Sequence, residues 1–242
     1  MNEAGERLQN IIARAGAASR RGAAALIESG AVSVDGVVVR EPGARFGEGA
    51  VVRVHGRRVA AAERKRTIVL YKPVGVVSTM SDPFGERTVA DVVQTPERLV
   101  PVGRLDRDSE GLLLMSNDGT LFNRLTHPRF GHKKTYIVRT AGRWSEEKLA
   151  TLRSPLTLDD GYTIRPVPVE VLRVDDNNTQ VLRFVLSEGR KRQIRKMCSA
   201  AHLVVLTLKR VAVGRFELPP DLAPGEWRDL SPDEIGRLVV SC

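Results

Sequence analysis

The chain has 242 residues, with 38 Lys+Arg against 29 Asp+Glu, a formal net charge of +9. Hydrophobic residues at 42% and aromatics at 5% supply a core and exclude a disordered chain, and the length allows one large domain or a large plus a small one. No stretch approaches the roughly 20 apolar residues that span a bilayer, and the opening MNEAGERLQN lacks the basic-then-apolar order of a secretory signal, so the expected compartment is the cytoplasm and no membrane partner is expected.

Residues 1–62 read as a small unit. Leu8, Ile11 and Ile12 share one face of a short helix that Gly16 can end, and Ser19 can cap a second helix carrying Ala23, Leu26 and Ile27 inward as far as Gly30. Ala31–Val34 and Val37–Val39 flank Asp35-Gly36, a dipeptide suited to a tight hairpin, and Val51–Val54 adds another strand. Arg20 and Arg21 fall at the start of the second helix, where amides and guanidinium groups can share a phosphate. By spacing alone they equally fit a solvated basic turn. The polar passage Ala60–Arg66 reads as a linker, with the boundary at 63–66, and a larger unit follows over 67–242.

The larger unit opens with a strand, Thr67–Tyr71, and a loop, Lys72-Pro-Val-Gly75. Further strands are expected at Gly111–Met115, Thr135–Val138, Val167–Val171, Val181–Leu186 and Val204–Val211. Helices are expected near Val89–Val93, Leu121–Leu125, Ser145–Leu152 and Arg190–Ala200. The fold class is α+β with a long, mixed, mainly antiparallel sheet flanked by helices. No repeat is present.

Two cysteines, Cys198 and Cys242, lie far apart, and His55, His127, His132 and His202 show no ligand spacing, so no metal is expected. Of the 38 basic residues 30 are Arg, whose planar guanidinium binds phosphate bidentately and stacks on bases. Coding bias explains part of that excess, so charge suggests a polyanion partner without proving one.

Three segments carry candidate chemistry. In Val102–Gly119 a polar loop with Asp106 and Asp108 runs into the apolar strand Leu112–Met115, which can hold a carboxylate still as nucleophile or general base. Ordinary solvated aspartates fit the same pattern. In Leu186–Cys198 a helix carries Arg192, Arg195 and Lys196 along one face, with Ile194, Met197 and Cys198 apolar. The basic residues from Arg190 to Lys196 enclose no acid, and such a cluster favours an overlying nucleic acid. In His132–Tyr136 a tyrosine stands at a strand start beside two lysines, either filling core or stacking on a base.

Together Gly103-Arg-Leu-Asp106, Gly111–Gly119, Lys72–Gly75, Lys134-Thr-Tyr136 and Glu188–Arg195 resemble the RsuA/RluB/RluF group of bacterial ribosomal RNA pseudouridine synthases. Ala15–Arg21 and Gly30–Gly36 are similar to the S4-like (alpha-L) RNA-binding module that this group usually carries. The resemblance implies isomerisation of uridine to pseudouridine in rRNA without cofactor or metal. It assigns Asp106 as the essential carboxylate, Arg195 as its paired cation and Tyr136 as the catalytic tyrosine that stacks on uracil and can take a ribose proton. Arg104 would occupy the space left by the flipped nucleotide. Ile194 would form apolar wall, and Lys72, Arg190, Arg192 and Lys196 would face substrate RNA. Residues 1–66 carry 12 Lys+Arg and 7 Asp+Glu, hence 12 − 7 = +5 of the total. Their expected task is gripping an rRNA stem-loop, with Arg20 and Arg21 on the RNA side. Arg192–Cys198 and Gly225-Glu-Trp-Arg-Asp229 look more like members acting on large-subunit (23S) rRNA near the peptidyl-transferase centre. Small-subunit (16S) rRNA and a secondary tRNA substrate stay open, as does the choice between covalent and glycal routes. The chain is expected to be a monomer. The rivals are a non-catalytic ribosome-assembly factor and a glycoside hydrolase using Asp106 with Asp108 or Glu110, although closely spaced loop carboxylates rarely face each other across a sugar.

Overall fold

The computed structural model describes residues 5–47, 49–59, 64–157, 161–175 and 177–239. Residues 60–63 of the expected linker lie outside them. The chain forms two compact units, one comprising the chain up to Arg66 with Thr95–Leu99 and Asn117–Gly119, the other the remainder.

In the first unit the helix Leu8–Arg14 buries Leu8 and Ile12, and Gly16 follows it at φ +74°. Ser19 Oγ accepts a 3.0 Å hydrogen bond from the Gly22 amide and so caps the helix Arg20–Glu28. Ala23 and Ile27 of that helix are buried, while Leu26 is only partly so. Strands Val32–Val34 and Val37–Val38 pair antiparallel about Asp35 (φ +50°) and Gly36 (φ +87°). Both turn residues have positive φ, the geometry whose twist matches the flanking strands. Val52–Val54 pairs on the other side, followed by Arg57–Arg58. Leu8, Ile12, Ala23, Ile27, Val32, Val34 and Val52 close one small core.

The second unit is built on a sheet in the order Val169–Asp175, Thr179–Leu186, Lys134–Ala141, Val204–Val213, Glu110–Ser116, Thr67–Lys72, Trp227–Asp229. Phe216–Glu217 and Val100–Val102 pair at its side. Every pairing in it is antiparallel except that of Val204–Val213 with Glu110–Ser116, where Lys209 faces Glu110 and Arg210 faces Gly111. The central strands Thr67–Lys72 and Gly111–Ser116 are buried on both faces, which is why they read as unbroken apolar runs. Each fully buried leucine there contributes about 1.5–3 kcal/mol relative to exposure. Gly111 sits at φ +102°, and a Cβ there would meet the Arg210 carbonyl oxygen at 2.3 Å. Only glycine permits that approach.

Two expectations shift. The helix placed at Arg190–Ala200 starts at Gln193, because Arg192 adopts the left-handed conformation (φ +54°, ψ +30°). Arg192 is therefore not part of one helical stripe with Arg195 and Lys196. The strand placed at Val167–Val171 runs over Val169–Asp175. A C-terminal helix, Pro232–Val239, was not anticipated, though its start carries a capping signature. The Glu234 carboxylate accepts from the Ser231 amide at 2.9 Å, and Ser231 Oγ accepts from the Glu234 amide at 3.3 Å.

Candidate active site

Between the strands Val100–Val102 and Glu110–Ser116 the chain makes a tight loop that presents Asp106. The Ser109 amide donates to the Asp106 carbonyl at 3.1 Å, closing a turn. Ser78 Oγ donates to the Leu105 carbonyl at 2.8 Å and accepts from the Leu105 amide at 3.1 Å, and the Gly75 amide donates to the Arg107 carbonyl at 2.8 Å. Leu105 is buried beside them. The backbone on either side of Asp106 is thus pinned, while its carboxylate stays 38% exposed. A fixed backbone under a solvent-reachable carboxylate suits a nucleophile or general base.

Lys72 lies beneath this loop. Expected to face RNA, it is instead wholly buried, with Nζ donating to the carbonyls of Ser109 (2.7 Å) and Pro73 (2.8 Å). Burial pulls its ammonium down to about 8, against the opposing pull of Asp108, Asp106 and Glu110 and with a further push from Arg210. The correction has a physical reason: two carbonyls turned inward by the loop need a donor, and the lysine stem reaches them.

The late basic segment meets the same loop, but not as the resemblance implied. Arg195 contacts Asp108 rather than Asp106: its Nη2 donates to the Asp108 carbonyl at 2.7 Å and its Nε lies 3.3 Å from the Asp108 carboxylate. Arg192 grips that carboxylate with both Nη atoms, at 3.2 and 2.9 Å, and reaches the Asp106 carboxylate only at 4.0 Å. Burial acts to raise the Asp108 carboxyl, but the hydrogen bond from Arg192 and the charges of Arg195 and Arg192 outweigh it and hold the group below the usual carboxylate value. The basic cluster that encloses no acid in sequence is therefore compensated by an acid 84 positions upstream. A left-handed non-glycine residue costs on the order of 1–3 kcal/mol. The two-pronged grip on Asp108 accompanies that conformation.

Tyr136, 8% exposed, lies on the strand Lys134–Ala141 opposite Phe184 on one side and Arg210 on the other. Arg210 is buried, donating from Nε to the Leu112 carbonyl at 2.7 Å and from Nη1 to the Arg104 carbonyl at 3.4 Å. It links the strand next to Tyr136 to the loop bearing Asp106. Lys134 falls on the same face as Tyr136, and burial followed by the charge of Arg210 pushes its ammonium down. Ile194 is buried on the helix Gln193–Ala200 with Met197 and Cys198. Burial pushes the Cys198 thiol up to about 12, so it is no nucleophile.

Arg190 is held by a ring. Its guanidinium carbon stands 3.4 Å from the Tyr162 centroid, and Tyr162 donates to Glu188 at 2.8 Å while Gln193 donates to the same carboxylate at 3.3 Å. Arg104 is exposed, Lys196 is half-buried, and Arg20 and Arg21 stand exposed at the start of their helix in the first unit. Asp108 as an anchor, Arg210, Ser78 and Tyr162 were missed. Arg210 had a signal, since it occupies an inward position of an alternating strand. Among the described residues no group of three or more His, Cys, Asp or Glu side chains could hold a metal ion, and no helix is long and apolar enough to cross a membrane.

Comparison with known proteins adds to this geometry. Residues 66–200 match the family described as RNA pseudouridylate synthase, and residues 6–52 match the S4 domain. A ribosomal large subunit pseudouridine synthase B of Bacillus subtilis is 39% identical, over 96% of this chain and 95% of that protein. One of the same name from Vibrio vulnificus is 38% identical, over 96% and 74%. A crystal structure of a pseudouridylate synthase superposes with a TM-score of 0.70 at 29% identity, covering 96% of this chain and 99% of that one.

Proposed function

The chain belongs to the RNA pseudouridylate synthase family and carries an S4 domain, and from that premise we propose that it isomerises uridine to pseudouridine in large-subunit (23S) ribosomal RNA through Asp106. The observation that carries the reading is a pinned loop offering a solvent-reachable carboxylate beneath a rim of arginines, in a chain similar along nearly its whole length to large-subunit enzymes.

Asp106 starts the reaction at ribose C1′, either by attack or by assisting departure of the uracil. The N1–C1′ bond breaks, the base turns in the pocket, and a C5–C1′ bond forms. C5 gives up its proton and N1 gains one, so atoms and electrons balance without an oxidant or cofactor. Tyr136 packs against the uracil, Ile194 lines the wall and Arg104 fills the gap left by the flipped nucleotide. Arg190, Arg192, Arg195 and Lys196 face the RNA backbone, with Asp108 orienting Arg192 and Arg195 beside Asp106. We assign residues 1–62 to the RNA-binding domain, 63–66 to a linker and 67–242 to the catalytic domain, in a chain that acts as a monomer. Flipping costs a few kcal/mol of stacking, recovered through contacts that include Arg20 and Arg21.

Purified protein incubated with ribosomal RNA fragments, followed by carbodiimide treatment and primer extension, tests the reading. A new stop at one large-subunit position supports it, and RNA bound but never modified would favour an assembly factor. Deleting residues 1–62 should lower affinity for the modified stem-loop by about 10²-fold, the range lost when one of two linked binding modules is removed, while the remainder still melts cooperatively. Unchanged affinity would refute the role given to that unit. Asp108→Asn should loosen Arg192, whose two bonds go to the carboxylate, while Arg195 keeps its bond to the main-chain carbonyl at 108, lowering kcat by roughly 10- to 10²-fold, the scale of a small misplacement near the reacting atoms. A full-length Asp108→Asn enzyme with wild-type kcat would show that Arg192 does not need this carboxylate.

A further inference from the structure

Phe84 is 89% exposed, the most exposed large hydrophobic side chain among the described residues. It does not sit on a loose excursion. The neck of its loop is closed by backbone bonds from the Val77 amide to the Arg87 carbonyl (2.9 Å) and from the Val89 amide to the Val77 carbonyl (3.0 Å). At the tip the Asp82 carboxylate accepts from the amides of Phe84 (2.8 Å) and Glu86 (3.1 Å), a local turn that fixes the backbone from which the exposed phenyl projects. The loop is also tied to the candidate active site: Glu86 pairs with Arg107, the residue after Asp106, at 3.2 Å, and Ser78 at its base bonds Leu105, the residue before.

We infer that Phe84 is a stacking platform for a second unpaired base of the RNA substrate, next to the uridine held at Asp106, an inference that rests on the RNA reading of that site. Extruding one nucleotide breaks the stack on both sides and leaves a neighbouring base with an open face. A solvent-facing ring on a loop tied to both neighbours of Asp106 replaces that lost partner. Its surroundings suit a polyanion: Arg87 and Arg104 are exposed, Arg107 is 63% exposed, and the nearby acids Asp82 and Glu86 are engaged by backbone amides and by Arg107. Val74, also exposed at 60%, lies on the loop whose Gly75 amide bonds the Arg107 carbonyl. Stacking on an aromatic ring tolerates any base, so the platform selects for an unpaired neighbour rather than for its identity.

The test uses the full chain, Phe84→Ala and Phe84→Trp, with two labelled probes at fixed salt: a short single-stranded oligouridine and a blunt-ended RNA duplex. Phe84→Ala should weaken oligouridine binding about fivefold to a hundredfold, the range for one lost base stack. Phe84→Trp should restore it, and affinity for the duplex should not change. Because the ring packs on nothing, both variants should melt as the wild type does. Equal loss on both probes, no loss on either, a tryptophan no better than alanine, or no oligouridine binding by the wild type overturns the inference. A wild type that binds oligouridine through Phe84 but forms no pseudouridine in ribosomal RNA would remove the isomerase reading instead, so the two failures are distinguishable.

Discussion

Asp106→Asn is expected to lower turnover by at least about 10⁴-fold, the scale of loss when a reacting group is removed from an enzyme, while RNA affinity stays within a small factor of wild type. The amide is nearly isosteric but cannot serve as an anionic nucleophile or base. Folding should not suffer, since the bonds that fix the loop run through the backbone of Leu105, Asp106, Arg107 and Ser109 rather than through this carboxylate. Single-turnover pseudouridine formation, measured beside filter binding and a thermal melt, separates the outcomes. Full turnover by the amide variant would end the mechanism, whereas loss of binding and turnover together would mean that the carboxylate serves the loop and not the reaction.

Lys72→Met carries the second large effect. The methionine fills the space of the lysine stem but leaves the buried carbonyls of Ser109 and Pro73 without their donor, which costs on the order of 1–3 kcal/mol. The loop bearing Asp106 loses its underpinning, so turnover should fall by about 10- to 10²-fold. The pH dependence has a definite sign. The ammonium titrates near 8 in the folded protein against 10.5 for the ordinary side chain, so below pH 8 both folded and unfolded states hold the proton. Between pH 8 and 10.5 the unfolded chain binds more, and wild-type stability relative to Lys72→Met should rise with pH, by about 3 kcal/mol across that window. Denaturant midpoints of the two proteins at pH 7, 9 and 10.5 check this. A gap that narrows as the pH rises would contradict the burial of the charged group.

Much of the fold is written in local patterns. Ser19 as a cap, Asp35-Gly36 as a hairpin and the doubly buried run Leu112–Met115 each follow from chemistry within a few residues. The site was legible as segments and not as pairs. Arg195 was expected on Asp106 and meets Asp108, because the turn from Asp106 to Ser109 reverses the chain and brings the later carboxylate toward the helix Gln193–Ala200. Nothing local marks Arg192 as left-handed, and the carboxylate it grips lies 84 positions away. Lys72 is expected to face substrate RNA, and only the tertiary arrangement shows the carbonyls that capture it. The helix Pro232–Val239 is the opposite case, where Ser231-Pro-Asp-Glu234 carries its own capping signal within four residues.

The single parallel pairing of the large sheet makes it two plates joined by a short weld. On one plate Val169–Asp175, Thr179–Leu186, Lys134–Ala141 and Val204–Val213 are laced by long antiparallel ladders, and on the other Glu110–Ser116, Thr67–Lys72 and Trp227–Asp229 are laced likewise. Between them the register runs only from Lys209–Arg210 to Glu110–Gly111. Tyr136 lies on the first plate and Asp106 on the loop that leads into the second, so their separation depends on how Val204–Val213 meets Glu110–Ser116. The approach of Gly111 to the Arg210 carbonyl, too close for any Cβ, then acts as the gauge that sets how far apart the tyrosine and the aspartate of the candidate site rest.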